Sequence, residues 1–221
     1  MRTSTDRILT THVGSLPRGA EVAKGLFAID AGETVDLEHH EAAVKREVSE
    51  VVQRQVDAGV DIVSDGENSK ISYATYIKHR LTGFEGDSPR QPPRDLEAFP
   101  GFMERLASGG GTPAYKRPVC VAPIEVKDMA PVEADLANFT AALESAGHTD
   151  AFMNSASPGV IALFQPNEYY ESHEAYLYAI ADAMRHEYEA IVDAGFLLQL
   201  DSPDLGLGRH MMFKEDRKSV V

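Results

Sequence analysis

The chain has 221 residues with 21 basic and 35 acidic side chains, and its formal net charge of −14 disfavours nucleic acid and anionic membrane surfaces as partners. A hydrophobic fraction of 43% and a charged fraction of 25% are ordinary for a globular protein, and the length suffices for a sizeable core. The start of the chain lacks the apolar core of a signal peptide, no apolar run approaches the roughly 18 residues of a membrane span, and the single cysteine, Cys120, cannot close an internal disulfide, so a cytoplasmic protein is expected.

Ile8 to Val13 is short and rich in β-branched residues, which predicts a first strand. Gly14 to Arg18 then turns. The Gly14 and Ser15 N–H groups suit a ligand carboxylate, although a plain Gly/Pro turn accounts for the same spacing. Leu37 to Ala58 has Val44, Val48, Val51, Val52 and Val56 near one face and predicts a helix. Val60 to Ser64 is the second predicted strand, followed by Asp65, Gly66, Glu67 and Asn68. Two carboxylates within three residues at a strand end suit an ammonium group, a metal or a base; the alternative is a loop in which Asp65 or Asn68 caps the next helix.

Ser72 to Gly83 predicts a short helix, and 85–94 an excursion rich in Pro, Gly and charge. Gly109 to Gly111 lacks the Gly-Lys-Ser/Thr ending of a phosphate loop and is assigned no chemistry. Residues 87–116 suit an inserted hairpin or subdomain. Val119 to Ile124 reads as a third strand, with Cys120 a buried, inert thiol rather than a nucleophile. Pro131 to Gly147 is predicted helical, Asp150 to Asn154 a fourth strand, and Ser155 to Gly159 a loop that a ligand can approach closely. His173 to Ala194 gives the clearest helix, with His186 on its surface, and Phe196 to Leu200 a fifth strand. A polar, glycine-rich loop is expected from Asp201 to His210.

Asp57-Ala-Gly-Val-Asp-Ile-Val-Ser-Asp65 and Asp193-Ala-Gly-Phe-Leu-Leu-Gln-Leu-Asp201 align without a gap. Each follows a long amphipathic helix and delivers an acid at a strand's carboxyl end, where ligands gather in parallel α/β proteins. The pair reads as a repeated αβ unit, although Asp-Ala-Gly by itself is also a common helix-to-strand turn; the acid at a matched position in both copies favours the repeat.

Thr11-His-Val-Gly-Ser-Leu-Pro-Arg18, Asp57-Ala-Gly-Val-Asp-Ile-Val-Ser-Asp-Gly-Glu67, Ser157-Pro-Gly159 and Gln199-Leu-Asp-Ser-Pro-Asp204 occur in this order. Together they resemble the catalytic barrel of the cobalamin-independent methionine synthase family, and especially its shorter bacterial relatives; epoxyalkane:coenzyme M transferase belongs to the same zinc-thiol group. The resemblance implies a TIM (β/α)8 barrel, with about the first five βα units in residues 1–221, an excursion at 85–116 and a truncated carboxyl end. It implies a 5-methyltetrahydropteroyltriglutamate–homocysteine S-methyltransferase in methionine biosynthesis, with a zinc-bound thiol and methyltetrahydrofolate as methyl donor. Zinc favours the thiolate and so supplies a nucleophile at neutral pH.

By the same resemblance, Val13, Gly14 and Ser15 match the backbone segment that holds the homocysteine carboxylate, Glu67 matches an acid that meets the amino acid substrate, and Asp201 matches the aspartate that binds its ammonium group. Two departures stand out. The family pattern has Asp-Glu-Pro where this chain has Asp201-Ser202-Pro203. The family's zinc-ligand positions also have no counterpart here, so no metal residue is assigned. The alternatives are another zinc-thiol alkyltransferase of the epoxyalkane type, or a non-catalytic truncated fragment that lacks the zinc site and oligomerises through its incomplete barrel.

Overall fold

The computed structural model describes residues 3–89, 94–108 and 116–213. Its helices are α1 (Ala20–Ala31), α2 (Leu37–Asp57), α3 (Pro100–Ser108), α4 (Ala130–Ala146), α5 (Pro158–Phe164), α6 (His173–Asp193) and α7 (Asp204–Met211). Its strands are β1 (Phe84–Glu85), β2 (Val119–Cys120), β3 (Phe152–Ala156) and β4 (Leu197–Asp201).

The long helices form where periodicity placed them, and their ends have local causes. Asp36 caps α2 by accepting from His39 N at 3.0 Å, and Ser172 caps α6 by accepting from Ala175 N at 3.0 Å. Both helices stop at the repeated Ala-Gly pair. Gly59 (φ 77°) and Gly195 (φ 89°) take the left-handed conformation that turns the chain, and their N–H groups donate to Val56 O and Val192 O at 2.9 Å. The repeat is therefore structural as well as sequential. Helix α1 was not anticipated; it buries Val22 and Leu26 against the valine face of α2.

β3 and β4 run parallel and in register, from Phe152 opposite Leu197 to Ala156 opposite Asp201. Two isolated parallel bridges extend the array, Val63 to Ala151 and Thr11 to Ile62. The four segments stand side by side in chain order, and the first two predicted strands are single-bridge contacts rather than ladders. Arg7 and Thr10 anchor the first of them on Asp61, with Thr10 N donating to Asp61 Oδ2 at 2.8 Å. The Arg7 guanidinium and the Thr10 donors hold the Asp61 carboxyl well below the usual carboxylate range.

The predicted third strand is corrected. Only Val119–Cys120 is extended pairing, antiparallel to β1, and Cys120 also bridges Asn167. Pro118 precedes the run and Pro123 lies within it, and neither offers an N–H to a ladder. Pairing among the described residues thus links four parallel segments, not five. The predicted helix at 72–83 is shorter, a 3-10 turn over Thr75–His79. Two further expectations change at the carboxyl side. Ser155 and Ala156 belong to β3, and Ser157 caps α5 by accepting from Val160 N at 3.1 Å, so 155–159 is not an open loop. The stretch expected as a glycine-rich loop folds as α7, started by Pro203; Gly206 and Gly208, poor helix formers, had hidden it.

Within 85–116 the described parts are a 3-10 turn at Arg94–Leu96 and α3. The Gly109–Gly111 turn and the tail after Phe213 lie outside the described residues. No helix among the described residues is long and apolar enough to cross a membrane.

Candidate ligand site at the strand ends

Register builds the site. Asn154 lies opposite Gln199 on neighbouring strands, and Asp201 follows two residues later on the same face. Asn154 Nδ2 donates to Asp201 Oδ2 at 2.9 Å and also to Glu67 Oε1. Ser15 Oγ donates to Glu67 Oε2 at 2.5 Å, and Gln199 Nε2 donates to Asp201 Oδ1 at 3.0 Å. Four carboxylate oxygens are therefore each met by an uncharged donor. Glu67 is 1% exposed and Asn154 3%. Among the described residues neither Glu67 nor Asp201 forms an ion pair.

Glu67 reaches this place through a strained turn. Gly66 (φ 65°) and Glu67 (φ 56°) are both left-handed, and a Cβ on Gly66 would stand 2.9 Å from Val51 Cγ1. A left-handed backbone costs a non-glycine residue roughly 1–2 kcal/mol. Asp65 supports the turn by accepting from Glu67 N at 3.0 Å, and Leu16 N donates to Gly66 O at 3.0 Å. Arg18 Nη2 donates to Glu67 O at 2.8 Å and Lys70 O at 2.7 Å, clipping the 14–18 segment onto the loop. Burial pushes the Asp65 carboxyl up, against the opposing pull of Lys70. The two repeated acids therefore diverge: Asp201 enters the site, whereas Asp65 braces the turn that presents Glu67.

Of the residues singled out in the sequence, Ser15, Glu67 and Asp201 converge. Val13 is 56% exposed and flanks Ser15, and Gly14 holds φ 90° between them. No hydrogen bond runs from the Gly14 or Ser15 N–H to another described residue, which leaves two donors beside the carboxylates. Asn154 and Gln199 were missed. Their signal was available: each is a polar residue that interrupts an apolar strand on the face that carries Asp201.

Among the described residues no three His, Cys, Asp or Glu side chains converge in a way that could hold a metal. Cys120 is 0% exposed, its Sγ lies 3.6 Å from Ala122 O, and burial pushes its thiol up. His210 Nδ1 points towards Asp95 Oδ1 at 3.8 Å, and His186 is exposed. A cavity of about 610 Å³ lies between α1, α2 and α4; Lys70 lines it and passes its Nζ to Asn154 O at 2.7 Å.

Parallel strand segments with acids at their carboxyl ends define an α/β protein and make the strand ends its candidate ligand site. Residues 8–89 match the family model described as cobalamin-independent synthase, catalytic domain. Over those residues the chain is similar to the catalytic domain of the cobalamin-independent synthases. It is 28% identical over 198 residues to methionine synthase of Saccharolobus solfataricus, covering 89% of this chain and 53% of that protein. It is 26% identical over 196 residues to methionine synthase of Sulfurisphaera tokodaii, covering 88% and 51%. In fold it resembles a B12-independent methionine synthase from Shewanella sp. W3-18-1 in complex with selenomethionine, with a TM-score of 0.67, 20% identity and coverage of 93% and 53%. A putative B12-independent methionine synthase from Listeria monocytogenes gives a TM-score of 0.61, 19% identity and coverage of 97% and 58%. The chain spans about half the length of the curated relatives it matches.

Proposed function

We propose that this chain supplies the amino-acid-binding part of an S-methyltransferase of the cobalamin-independent methionine synthase type. In this reading its ligand is a homocysteine-like aminothiol. Glu67 and Asp201 receive the ammonium group, and the backbone N–H groups of the Val13, Gly14 and Ser15 segment receive the carboxylate. The observation that carries the reading is the convergence of Glu67 and Asp201, from separate parts of the chain, on the buried carboxamide of Asn154, with Ser15 donating to the other oxygen of Glu67. Two carboxylates met only by uncharged donors leave a surplus of negative potential, and an ammonium group offers three donors to relieve it.

The four parallel segments are read as the opening strands of a (β/α)8 barrel, with residues 1–221 one partial barrel and 85–116 an excursion from it. β4 pairs only with β3 among the described residues and Leu200 is 44% exposed, which supports a working protein in which this edge is covered. Methyltetrahydrofolate is the methyl donor that the family reading suggests. Zinc would activate the thiol in that reading, but the described donors do not form a set that fits it. The roles assigned to this chain's residues are therefore binding and orientation of the amino acid, which fix where its sulfur stands.

Isothermal titration of the purified chain with homocysteine tests the reading. Asp201→Ala removes an acceptor for the ammonium group, and affinity is expected to fall by about tenfold or more. A folded Asp201→Ala protein that binds homocysteine as the unmodified chain does would remove the assignment.

A further inference from the structure

Two acids that meet one ammonium group need something to hold them at a fixed separation while the site is empty. A cation from the protein would do so, but it would compete with the ligand. Here the holder is uncharged. The single Nδ2 of Asn154 donates both of its hydrogens, one to Glu67 and one to Asp201, while its own strand is fixed from the other side by Lys70 Nζ on Asn154 O at 2.7 Å. Ser15 and Gln199 take up the outer oxygen of each acid.

We propose that Asn154 is a positioning residue that clamps Glu67 and Asp201 as a doubly charged pair, and thereby makes the site selective for ligands carrying a primary ammonium group. The proposal rests on the aminothiol reading above for its ligand, and on Asn154 alone for the clamp. Its logic is electrostatic. Without a bridging donor, two carboxylates that face each other relieve their repulsion by sharing a proton, and a pair holding a proton no longer favours an ammonium group over a neutral one. The fixed charges that face the pair are Arg18, which lies over the Glu67 turn, Lys70 behind β3, and Asp65 beneath Glu67; Asp204 bonds Ser157 at 3.0 Å just beyond β3. All of these remain when Asn154 is changed, so the clamp can be removed alone.

The test uses the 221-residue chain with Asn154→Ala and Asn154→Ser. Two quantities are read: the ratio of affinities for homocysteine and 4-mercaptobutanoate, its des-amino analogue, and the carbon NMR titration of the Glu67 and Asp201 carboxyl groups without ligand. The Asn154→Ala protein is expected to lose at least about tenfold of the preference for homocysteine, with little change for the analogue. One carboxyl is expected to hold its proton to higher pH than in the unmodified chain. Asn154→Ser, which keeps a single shorter donor, is expected to lie between them, and serves if the alanine protein does not fold. A wild-type affinity ratio together with an unchanged carboxyl titration in a folded variant would overturn the proposal. If the unmodified chain shows no preference for homocysteine over its analogue, the aminothiol reading fails. The NMR titration then still decides the clamp, and an unchanged titration rejects it.

Discussion

Adjacent residues of β3 serve two acidic centres built on opposite principles. Ser155 faces the helices and donates to Glu187 Oε1 at 2.7 Å, where Tyr76 OH also donates at 2.6 Å. Arg80 donates to Glu187 Oε2 at 2.8 Å and to Asp135, and its guanidinium sits 4.6 Å from the Tyr76 ring centroid. Asn154, one residue earlier, faces the strand ends and meets Glu67 and Asp201 with an amide. Both centres hold carboxylates, but only in the first does a cation bond them directly. Burial opposes ionisation of Glu187, and Arg80 and Lys70 outweigh it, so its carboxyl is held down at about 2. A compensated centre is a structural tie between the 3-10 turn, α4 and α6. An uncompensated one is suited to a cation from outside.

The comparison breaks most visibly at Arg80. Replacing it by Leu strands Glu187 and Asp135, which are 5% and 7% exposed as side chains. The expected loss is about 3–5 kcal/mol in urea unfolding. A loss within about 1 kcal/mol would mean that the centre is not a tie.

Acid comes next. The folded Glu187 carboxyl lies below its ordinary value of 4.5, so its stabilisation is complete above that value and is lost as pH falls towards about 2. The loss across that window is on the order of 3 kcal/mol. Unfolding free energies between pH 2 and 5 should show this slope in the unmodified chain and a shallower one in Glu187→Gln.

The smallest effect belongs to the other centre. Glu67→Gln removes one of two facing charges and keeps the side chain's size. Stability is expected to stay within about 1 kcal/mol of the unmodified chain, or to rise, while homocysteine binding weakens. A large destabilisation would make Glu67 a structural acid like Glu187 and erase the distinction.

The legibility of the sequence followed the range of the forces involved. Helices α2, α4 and α6 could be read because their apolar period and glycine stops are local to each segment, with a side-chain cap on α2 and α6 and a proline in the first turn of α4. The acids at the strand ends could be read because the Asp-Ala-Gly repeat fixes the distance from helix end to strand end. Val119 to Ile124 could not be placed, because an apolar run does not say which strand it will meet. Helix α7 was hidden by Gly206 and Gly208, whose low helix propensity reads as a loop in the sequence.

By itself, then, the sequence determined where the long helices run and that Glu67 and Asp201 finish their segments, since both follow from residues close along the chain. Only the tertiary structure decided that Asn154 would stand between those two acids and Arg80 between Glu187 and Asp135. Those partners are 47 to 107 residues apart along the chain, and strand register, not local propensity, brings Asn154 and Asp201 together.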